Sequence, residues 1–319
     1  HWPEVSLESI GFGYRSRSQA QRGGEKWFPY NKGGGYRKWY GNLEFVVNWE
    51  EDGREIRNLT DSSGNQRSRP QNTEYYFKEG ITWSFVSSGD FGVRYAPSGL
   101  IFDVGGSSLF PDSDLNAYTA AFLNSQVAFY DLKVLNPTMN FQVGNIASLP
   151  FKLAEGKERQ RIENLSESCI QLAKSDFDTR ETSWDFTRHP LVRKNTSSLE
   201  EAYNAWKQEA TENFFRIHAN EEALNELFID LYGLDGDLSP RVDLDEVTIL
   251  EDELDRNALE ELEAERDNLT GEELRQRFLE DDPDDALFKV EVPIRQFLSY
   301  GIGVMLGRYR LGHAGLHIA

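Results

Sequence analysis

The sequence contains a single cysteine, Cys169, and no long apolar run. One thiol cannot form an intramolecular disulfide or a cysteine-based zinc cluster, and such scarcity is typical of a reducing compartment. A membrane helix needs about 20 consecutive apolar residues, and no stretch approaches that length. The first residues offer neither a charged leader with an apolar segment nor an initiator methionine. We therefore expect a cytoplasmic protein with no membrane partner, and a sequence cut from a longer one.

Basic residues are also scarce: 34 Lys and Arg stand against 54 Asp and Glu, which gives a net charge of −20. Taken alone, this balance argues against a polyanionic partner. The acids are concentrated in the second half, however. Residues 1–150 hold 14 basic and 16 acidic side chains, whereas residues 151–319 hold 20 and 38. The first half is thus nearly neutral, and its local charge pattern decides what it can bind.

Residues 11–40 form the most unusual stretch, because seven basic side chains and eight aromatic ones accompany a single acid. Three consecutive glycines at 33–35 let a backbone approach a phosphate, and arginine can pair with a guanine edge. This composition favours nucleic-acid binding. The alternative is that the aromatics fill a core and the glycines make a hairpin turn. For Trp27, Phe28 and Trp39 we favour this alternative.

The cations beside the glycines, Lys32, Arg37 and Lys38, are expected to face solvent and contact DNA. A second basic run, formed by Arg54, Arg57, Arg67 and Arg69, is predicted to lie in a polar loop. The amide side chains of this loop are suited to adenine edges, and they are Asn65, Gln66, Gln71 and Asn72. Ordinary surface polarity explains that loop equally well. The predicted DNA-binding residues are Arg15, Arg17, Lys26, Lys32, Arg37, Lys38, Arg54, Arg57, Arg67 and Arg69.

The first 110 residues have the pattern of a loop-rich β structure, with short aromatic and branched segments separated by turn clusters. The predicted extended segments are 43–49, 75–77, 81–86, 92–96 and 100–104. The period then changes, and residues 114–130 are predicted to form one helix with Asp114 as its N-cap. Residues 146–151 are predicted to be a final extended segment.

The second half is predicted to be helical. Apolar spacing indicates a helix through Cys169, followed by two helices at 203–217 and 224–231 that pack as a hairpin and stop at Gly233. A capping box formed by Ser198 and Glu201 precedes the first of these two helices.

Residues 241–285 hold nineteen acids and five arginines. Thr270 with Glu273 is a capping box, so we predict acidic helices there rather than a disordered tail. The fold class is α+β: a β-rich domain over residues 1–150, a helical spacer over 151–240 and an acidic helical region over 241–319.

No catalytic or metal-binding motif is evident in this sequence. An adenine methyltransferase uses an Asn-Pro-Pro-Tyr motif, whose aromatic ring stacks on the flipped base. The nearest string, Asn136-Pro137-Thr138-Met139, lacks the second proline and the ring. Cys169 lies on the apolar face of its helix, which indicates a core residue rather than a nucleophile. We expect no catalysis, bound cofactor or metal in this chain.

Several strings distributed over the chain carry a family resemblance. They are Lys26–Asn42, Val46–Glu50, Arg67–Thr73, Tyr75–Ser84, Phe91–Tyr95, Phe102–Pro111, Asp178–Phe186 and Gly303–Tyr309. Together they resemble the PglX family, the large adenine-specific DNA methyltransferases of BREX phage-defence systems. Three further strings resemble the closing elements of target-recognition domains in related restriction-modification enzymes. They are Leu123-Asn124-Ser125, Gly144-Asn145-Ile146 and Leu149-Pro150-Phe151.

The resemblance implies a C-terminal part of a longer methyltransferase, with residues 1–150 as the target-recognition domain. Methyl transfer from S-adenosylmethionine then belongs to the parent protein, and this part holds no cofactor of its own. The implied partners are double-stranded DNA and other BREX components. Two alternatives stay open: a protein-interaction scaffold of the defence complex that uses its acidic helices, and the specificity part of a related restriction-modification enzyme.

Overall fold

The computed structural model describes residues 5–86, 91–136, 140–193, 196–280, 286–310 and 315. The chain divides into two compact units. The first unit comprises residues 1–170 and 224–239, and the second comprises residues 171–223 and 240–319. Helices hold 50% of the residues and strands 11%. The predicted α+β class is therefore confirmed.

Two small three-stranded sheets lie in the first unit. The strands are β1 (Trp27–Asn31), β2 (Phe45–Asn48), β3 (Gly80–Ser84), β4 (Val93–Ala96), β5 (Ile101–Phe102) and β6 (Gly106–Leu109). In the first sheet, of order β2-β1-β5, the β1 strand pairs antiparallel with β2 and parallel with β5. In the second, of order β4-β3-β6, both neighbours of β3 are antiparallel to it. Four of the five predicted extended segments overlap one of these strands, whereas β1 and β6 were not among the predicted segments.

The helices account for most of the remaining regular structure. They are α1 (Arg17–Gly23), α2 (Glu50–Arg57), α3 (Asn116–Leu123), α4 (Gln126–Leu135), α5 (Val143–Ala147), α6 (Gly156–Phe177), α7 (Pro190–Arg193), α8 (Leu199–Tyr232), α9 (Arg256–Glu265), α10 (Gly271–Leu279) and α11 (Glu291–Met305). Within α2, residues 51–53 have left-handed backbone angles, so this element contains a sharp kink.

The structure corrects three predictions in the first unit. Residues 75–77 are not a strand, because Thr73–Tyr75 form a 3₁₀ turn. The single helix expected over 114–130 is two helices, and Asp114 lies inside a 3₁₀ turn, Ser113–Leu115, rather than at an N-cap. The predicted extended segment 146–151 begins inside α5.

The helix pair expected at 203–217 and 224–231 is one continuous helix, α8. Between the two predicted helices stand six residues without glycine or proline, so nothing interrupts the backbone hydrogen bonds. Ser198 Oγ accepts the backbone N–H of Glu201 at 3.1 Å, as a capping box requires, whereas the Glu201 carboxylate accepts from Ser197. Gly233 follows the helix with φ +70°, as predicted for its stop.

The acidic region is folded where the structure describes it, and residues 281–285 lie outside the described part. The predicted capping box of Thr270 and Glu273 is present at the start of α10, with both reciprocal hydrogen bonds. Leu254, Leu259 and Phe278 are fully buried. The prediction of acidic helices is confirmed for α9 and α10.

The first unit has an aromatic core on its first sheet. Phe28, Trp49, Tyr76, Phe77 and Ile101 form one buried cluster. Phe28 and Trp39 are each 1% exposed, which confirms the core assignment for both, whereas Trp27 is half-buried. Cys169 is buried, as predicted. Among the described residues, no helix is both long enough and apolar enough to span a bilayer.

Candidate nucleic-acid interface

Six of the ten predicted DNA-binding side chains are exposed in the first unit. They are Arg15, Lys26, Lys32, Arg54, Arg67 and Arg69. Arg54 pairs with Glu51 at 2.5 Å, whereas the other five form no ion pair within the described residues. Exposed cations without a carboxylate partner can neutralise phosphates without first breaking an internal ion pair.

Arg17 and Arg57 instead bind one internal carboxylate, that of Asp52. The Arg17 guanidinium donates two hydrogen bonds to it, and Arg57 Nη2 lies 3.4 Å from Asp52 Oδ2. Arg57 Nε also donates to the Asp52 carbonyl at 2.8 Å. The kink of α2 places Asp52 between α1 and the end of its own helix. These two arginines therefore contribute to the fold, and their charge is partly compensated.

Arg37 and Lys38 are each only 4% exposed, so the expectation that they face solvent is wrong. They follow the glycines on a segment that runs beside β4, where Trp39 forms a bridge with Arg94. Arg94 is 1% exposed, and its Nε and Nη2 make no hydrogen bond within the described residues. Burial and the neighbouring Arg37 lower the pKa of the Arg94 guanidinium to about 9. The two cations that follow the glycine segment are therefore buried and do not face solvent.

A cavity of about 600 Å³ opens beside the first sheet, and we call it the aromatic cavity. Its walls come from β1, β2, β5, β6 and the segment that precedes the 3₁₀ turn at 73–75. The aromatic side chains that line it are Tyr30, Trp49, Tyr76 and Phe102. The polar ones are Ser68, Arg69, Gln71, Asn72, Asp103, Ser107 and Ser108. Its inner wall is therefore a continuation of the aromatic core, and its polar edge is a loop.

Trp49 is held at the base of this cavity by backbone and packing contacts. The backbone N–H of Trp49 donates to the Lys26 carbonyl at 2.9 Å, which joins the end of β2 to the start of β1. Gly53 has φ +74°, and a Cβ at this position would lie 2.5 Å from the Trp49 ring. Only glycine fits there. The Arg57 guanidinium lies 5.4 Å from the centroid of the Trp49 ring, at cation–π distance.

Tyr30 and Asp103 form the other side of the cavity. Asp103 Oδ2 accepts a hydrogen bond from the Tyr30 hydroxyl, and Oδ1 accepts the backbone N–H of Gly105 at 2.8 Å. Burial, and then this hydrogen bond, raise the pKa of Tyr30 well above its usual range. Burial likewise raises the pKa of Tyr76 to about 12. Both phenols therefore stay protonated at neutral pH.

The second predicted basic run is not a single loop, because Arg54 and Arg57 lie in α2. Its last member, Arg69, lines the cavity together with the amides of Gln71 and Asn72, and these three residues form its edge. All three are exposed, and their side chains make no hydrogen bond among the residues that the structure describes. A guanidinium and two amides on one rim can address both a phosphate and the edge of a base. Sequence reasoning identified this rim but missed the aromatic wall. The only sequence signal for that wall was a set of aromatics dispersed over 30–102.

The described residues contain no cluster of three or more His, Cys, Asp or Glu side chains that could hold a metal ion. The aromatic cavity offers ring surfaces for stacking, hydrogen-bonding groups at its rim and cationic side chains nearby.

Two curated proteins match the chain along nearly its full length, whereas no protein-family model matches it. The chain is 36% identical over 327 aligned positions to an adenine-specific methyltransferase PglX of Lacticaseibacillus casei (strain Zhang), which covers 100% of the chain and 24% of the relative. It is 29% identical over 320 positions to an adenine-specific methyltransferase BrxX of Escherichia coli O9:H4 (strain HS), with 99% of the chain and 23% of the relative covered. The chain thus spans about a quarter of the length of each relative.

Proposed function

Because the chain corresponds along its whole length to a segment of PglX-like adenine-specific methyltransferases, we propose that it selects the DNA sequence such an enzyme methylates. The partner in this proposal is double-stranded DNA, and the parent protein serves a BREX phage-defence system. The recognising part is the first unit. Methyl transfer and the binding of S-adenosylmethionine are assigned to the rest of the longer protein.

The observation that carries the proposal is the rim of the aromatic cavity. Arg69, Gln71 and Asn72 are exposed and lie on one edge of a concave site. Arginine suits a guanine edge and the amides of glutamine and asparagine suit an adenine edge, so this rim holds the side chains used most for direct reading of bases.

Affinity and sequence choice come from different side chains in this proposal. Lys26, Lys32 and Arg67 are exposed cations that would neutralise phosphates and hold the duplex in register. The rim would enter a groove and distinguish base pairs. Removing a phosphate contact weakens binding to every sequence alike, whereas removing a base contact relaxes the preference at one position.

The test is binding of the intact chain to duplex DNA, measured by fluorescence anisotropy over a range of salt concentrations. We expect the double variant Lys32→Ala/Arg67→Ala to bind every duplex roughly tenfold more weakly, and its salt slope should fall by about 1.8 units, at about 0.9 per phosphate. Gln71→Ala should instead relax the sequence preference at one position. Selection from a random duplex pool reports sequence choice in the same samples.

The matched control is Lys157→Ala/Arg161→Ala, which removes the same charge from exposed positions on α6. Its affinity should stay within about twofold of that of the unmodified chain. If both double variants lose affinity equally, the weaker binding is due to the change in net charge and not to contacts made by the substituted side chains. An absence of duplex binding at low salt would contradict the proposal.

A protein-interaction role is the second candidate, and a specific feature of α11 favours it. Leu298, Ile302, Met305 and Leu306 recur at helical spacing and are 51–78% exposed. A row of large apolar side chains on one exposed helix face is typical of a binding surface. If Ile302→Asp abolishes co-purification with other components of the defence system while duplex binding persists, this role accompanies DNA recognition.

A further inference from the structure

The aromatic cavity is too large to be a packing defect. Protein interiors contain few voids larger than one water molecule, and a volume of about 600 Å³ is in the range of small-molecule sites. Part of its wall is apolar, because Val47, Ile56 and Phe102 pack against the core but are themselves only half-buried. Side chains of this kind are normally covered, and the described chain leaves them uncovered.

The charges around the cavity disfavour a cationic ligand. Both Asp103 oxygens already accept hydrogen bonds, from the Tyr30 hydroxyl and from the backbone N–H groups of Gly105 and Gly106. Arg69 is the other charged side chain that lines the cavity, and its guanidinium is exposed. It favours a ligand that carries a negative charge.

The ring surfaces and the amide groups that line the cavity further restrict the class of ligand that fits it. The Tyr76 ring meets those of Trp49 and Phe102 edge-on, with centroids 5.2 and 5.1 Å apart, so an aromatic surface lines the wall. Gln71 on the rim offers both a donor and an acceptor. A planar heterocycle with carbonyl or ring-nitrogen acceptors, attached to a phosphate, matches all of these groups.

We propose that the aromatic cavity accepts one unpaired nucleobase of DNA, with its ring against Tyr76 and Phe102 and its phosphate beside Arg69. This inference rests on the proposed function and adds a base displaced from its pair to the recognition of the duplex.

The test compares two duplexes of the same sequence, one fully paired and one with a single-nucleotide bulge. A bulged base is already unpaired, so the unpairing cost is absent. We expect the intact chain to bind the bulged duplex at least tenfold more tightly. The measured quantity is the ratio of the two affinities, determined at one salt concentration.

Two variants address the cavity itself. Val104 lines the cavity and is 70% exposed, so Val104→Trp fills the space without removing a core contact. It should bring the ratio to about one. Phe102→Leu keeps an apolar side chain and removes a ring that the base would lie against, and should lower the ratio several-fold. The control is Val134→Trp on α4, at a position 72% exposed, which should leave both affinities unchanged.

The outcomes separate the two proposals. Normal binding of the paired duplex with a ratio near one would overturn only the base-accepting role. The base-accepting role would also be overturned if a folded Val104→Trp variant kept the same ratio of affinities as the unmodified chain. If the chain binds neither duplex, the proposed function itself fails.

Discussion

At the scale of single residues, the most unusual feature of the molecule is the burial of polar and charged side chains. Arg37, Lys38 and Arg94 are at least 96% buried in the first unit, although cations are rarely buried to this extent. A buried Arg94 without a hydrogen bond at Nε or Nη2 is costly to the fold. The sequence could not indicate this, because an arginine beside glycines is ordinarily an exposed residue.

His189 in the second unit leads to a prediction on pH. It is 1% exposed, and its Nδ1 accepts the backbone N–H of Leu191 at 3.3 Å. Burial and the nearby Arg193 lower its pKa from 6.5 to about 4. Above pH 6.5 the imidazole is neutral in both folded and unfolded chains, so it adds no pH dependence there. Below pH 6.5 His189 is protonated in the unfolded chain but stays neutral in the folded chain. The unfolding free energy therefore falls as the pH is lowered to about 4.

In the variant His189→Asn the side-chain amide oxygen can still accept the backbone N–H of Leu191. We expect this variant to lose the part of the pH dependence of unfolding that is due to His189. The unfolding free energy of the unmodified chain relative to the variant should drop by about 3 kcal/mol at most between pH 7 and pH 4. Urea unfolding of both proteins at several pH values measures it. A constant difference between the two proteins would show that His189 is not buried as a neutral group.

At the scale of elements, helix ends are decided by side-chain hydrogen bonds to the backbone. The predicted helix over 114–130 breaks because Asn124 bonds Val93 through both amide atoms, at 2.8 and 3.1 Å. Ser125 then caps α4 by accepting the N–H of Ala128 at 3.3 Å. Such bonds compete with the helical ladder. The partner of Asn124 lies 31 residues earlier, so helical periodicity alone could not reveal the break.

The N-terminal end of α10 is a helix end at which the sequence prediction and the structure agree. Thr270 Oγ1 accepts the N–H of Glu273 at 3.2 Å, and the Glu273 carboxylate accepts the N–H of Thr270 at 2.8 Å. We expect Thr270→Ala to lower the unfolding free energy by about 1 kcal/mol, because it leaves an N–H of the first turn unsatisfied.

Thr270→Ser retains the hydroxyl and should restore most of that loss. Denaturant unfolding followed by far-ultraviolet circular dichroism measures all three proteins. Equal destabilisation by alanine and serine would attribute the effect to the lost methyl group instead of the cap.

At the scale of the whole molecule, the two units differ in charge and in composition. The first unit, which contains both sheets and the aromatic cavity, carries 18 of the 34 basic side chains and 24 of the 54 acids. The second unit carries the remaining 16 and 30, and it contains internal ion pairs such as Arg266–Glu222 at 2.6 Å. A DNA-binding role therefore concerns the first unit, despite the net charge of the chain.

An exchange between related methyltransferases tests that assignment. The first unit extends beyond residue 150, because Tyr118 packs on Phe228 with centroids 5.6 Å apart and its hydroxyl donates to the Lys152 carbonyl at 2.9 Å. The graft should therefore carry residues 1–170 and 224–239 together. We expect a full-length relative with this graft to methylate a different adenine sequence, as mapped by genome-wide detection of methylated adenine.

Grafting residues 171–223 and 240–319 instead is the matched control, and it should leave the methylated sequence unchanged. Full activity at the original sequence after the first graft would place target choice elsewhere in the protein.

The sequence by itself determined the fold class, the contrast in charge between the halves, the acidic helices with their α10 cap and the loop from Arg67 to Asn72. These follow from local spacing, composition and capping, which depend on neighbours within a few residues. Only the tertiary structure decided that Arg37 and Lys38 are buried, that α8 is continuous and that four dispersed aromatics line one cavity. Burial and cavity walls depend on contacts between residues far apart in the chain, which periodicity does not encode.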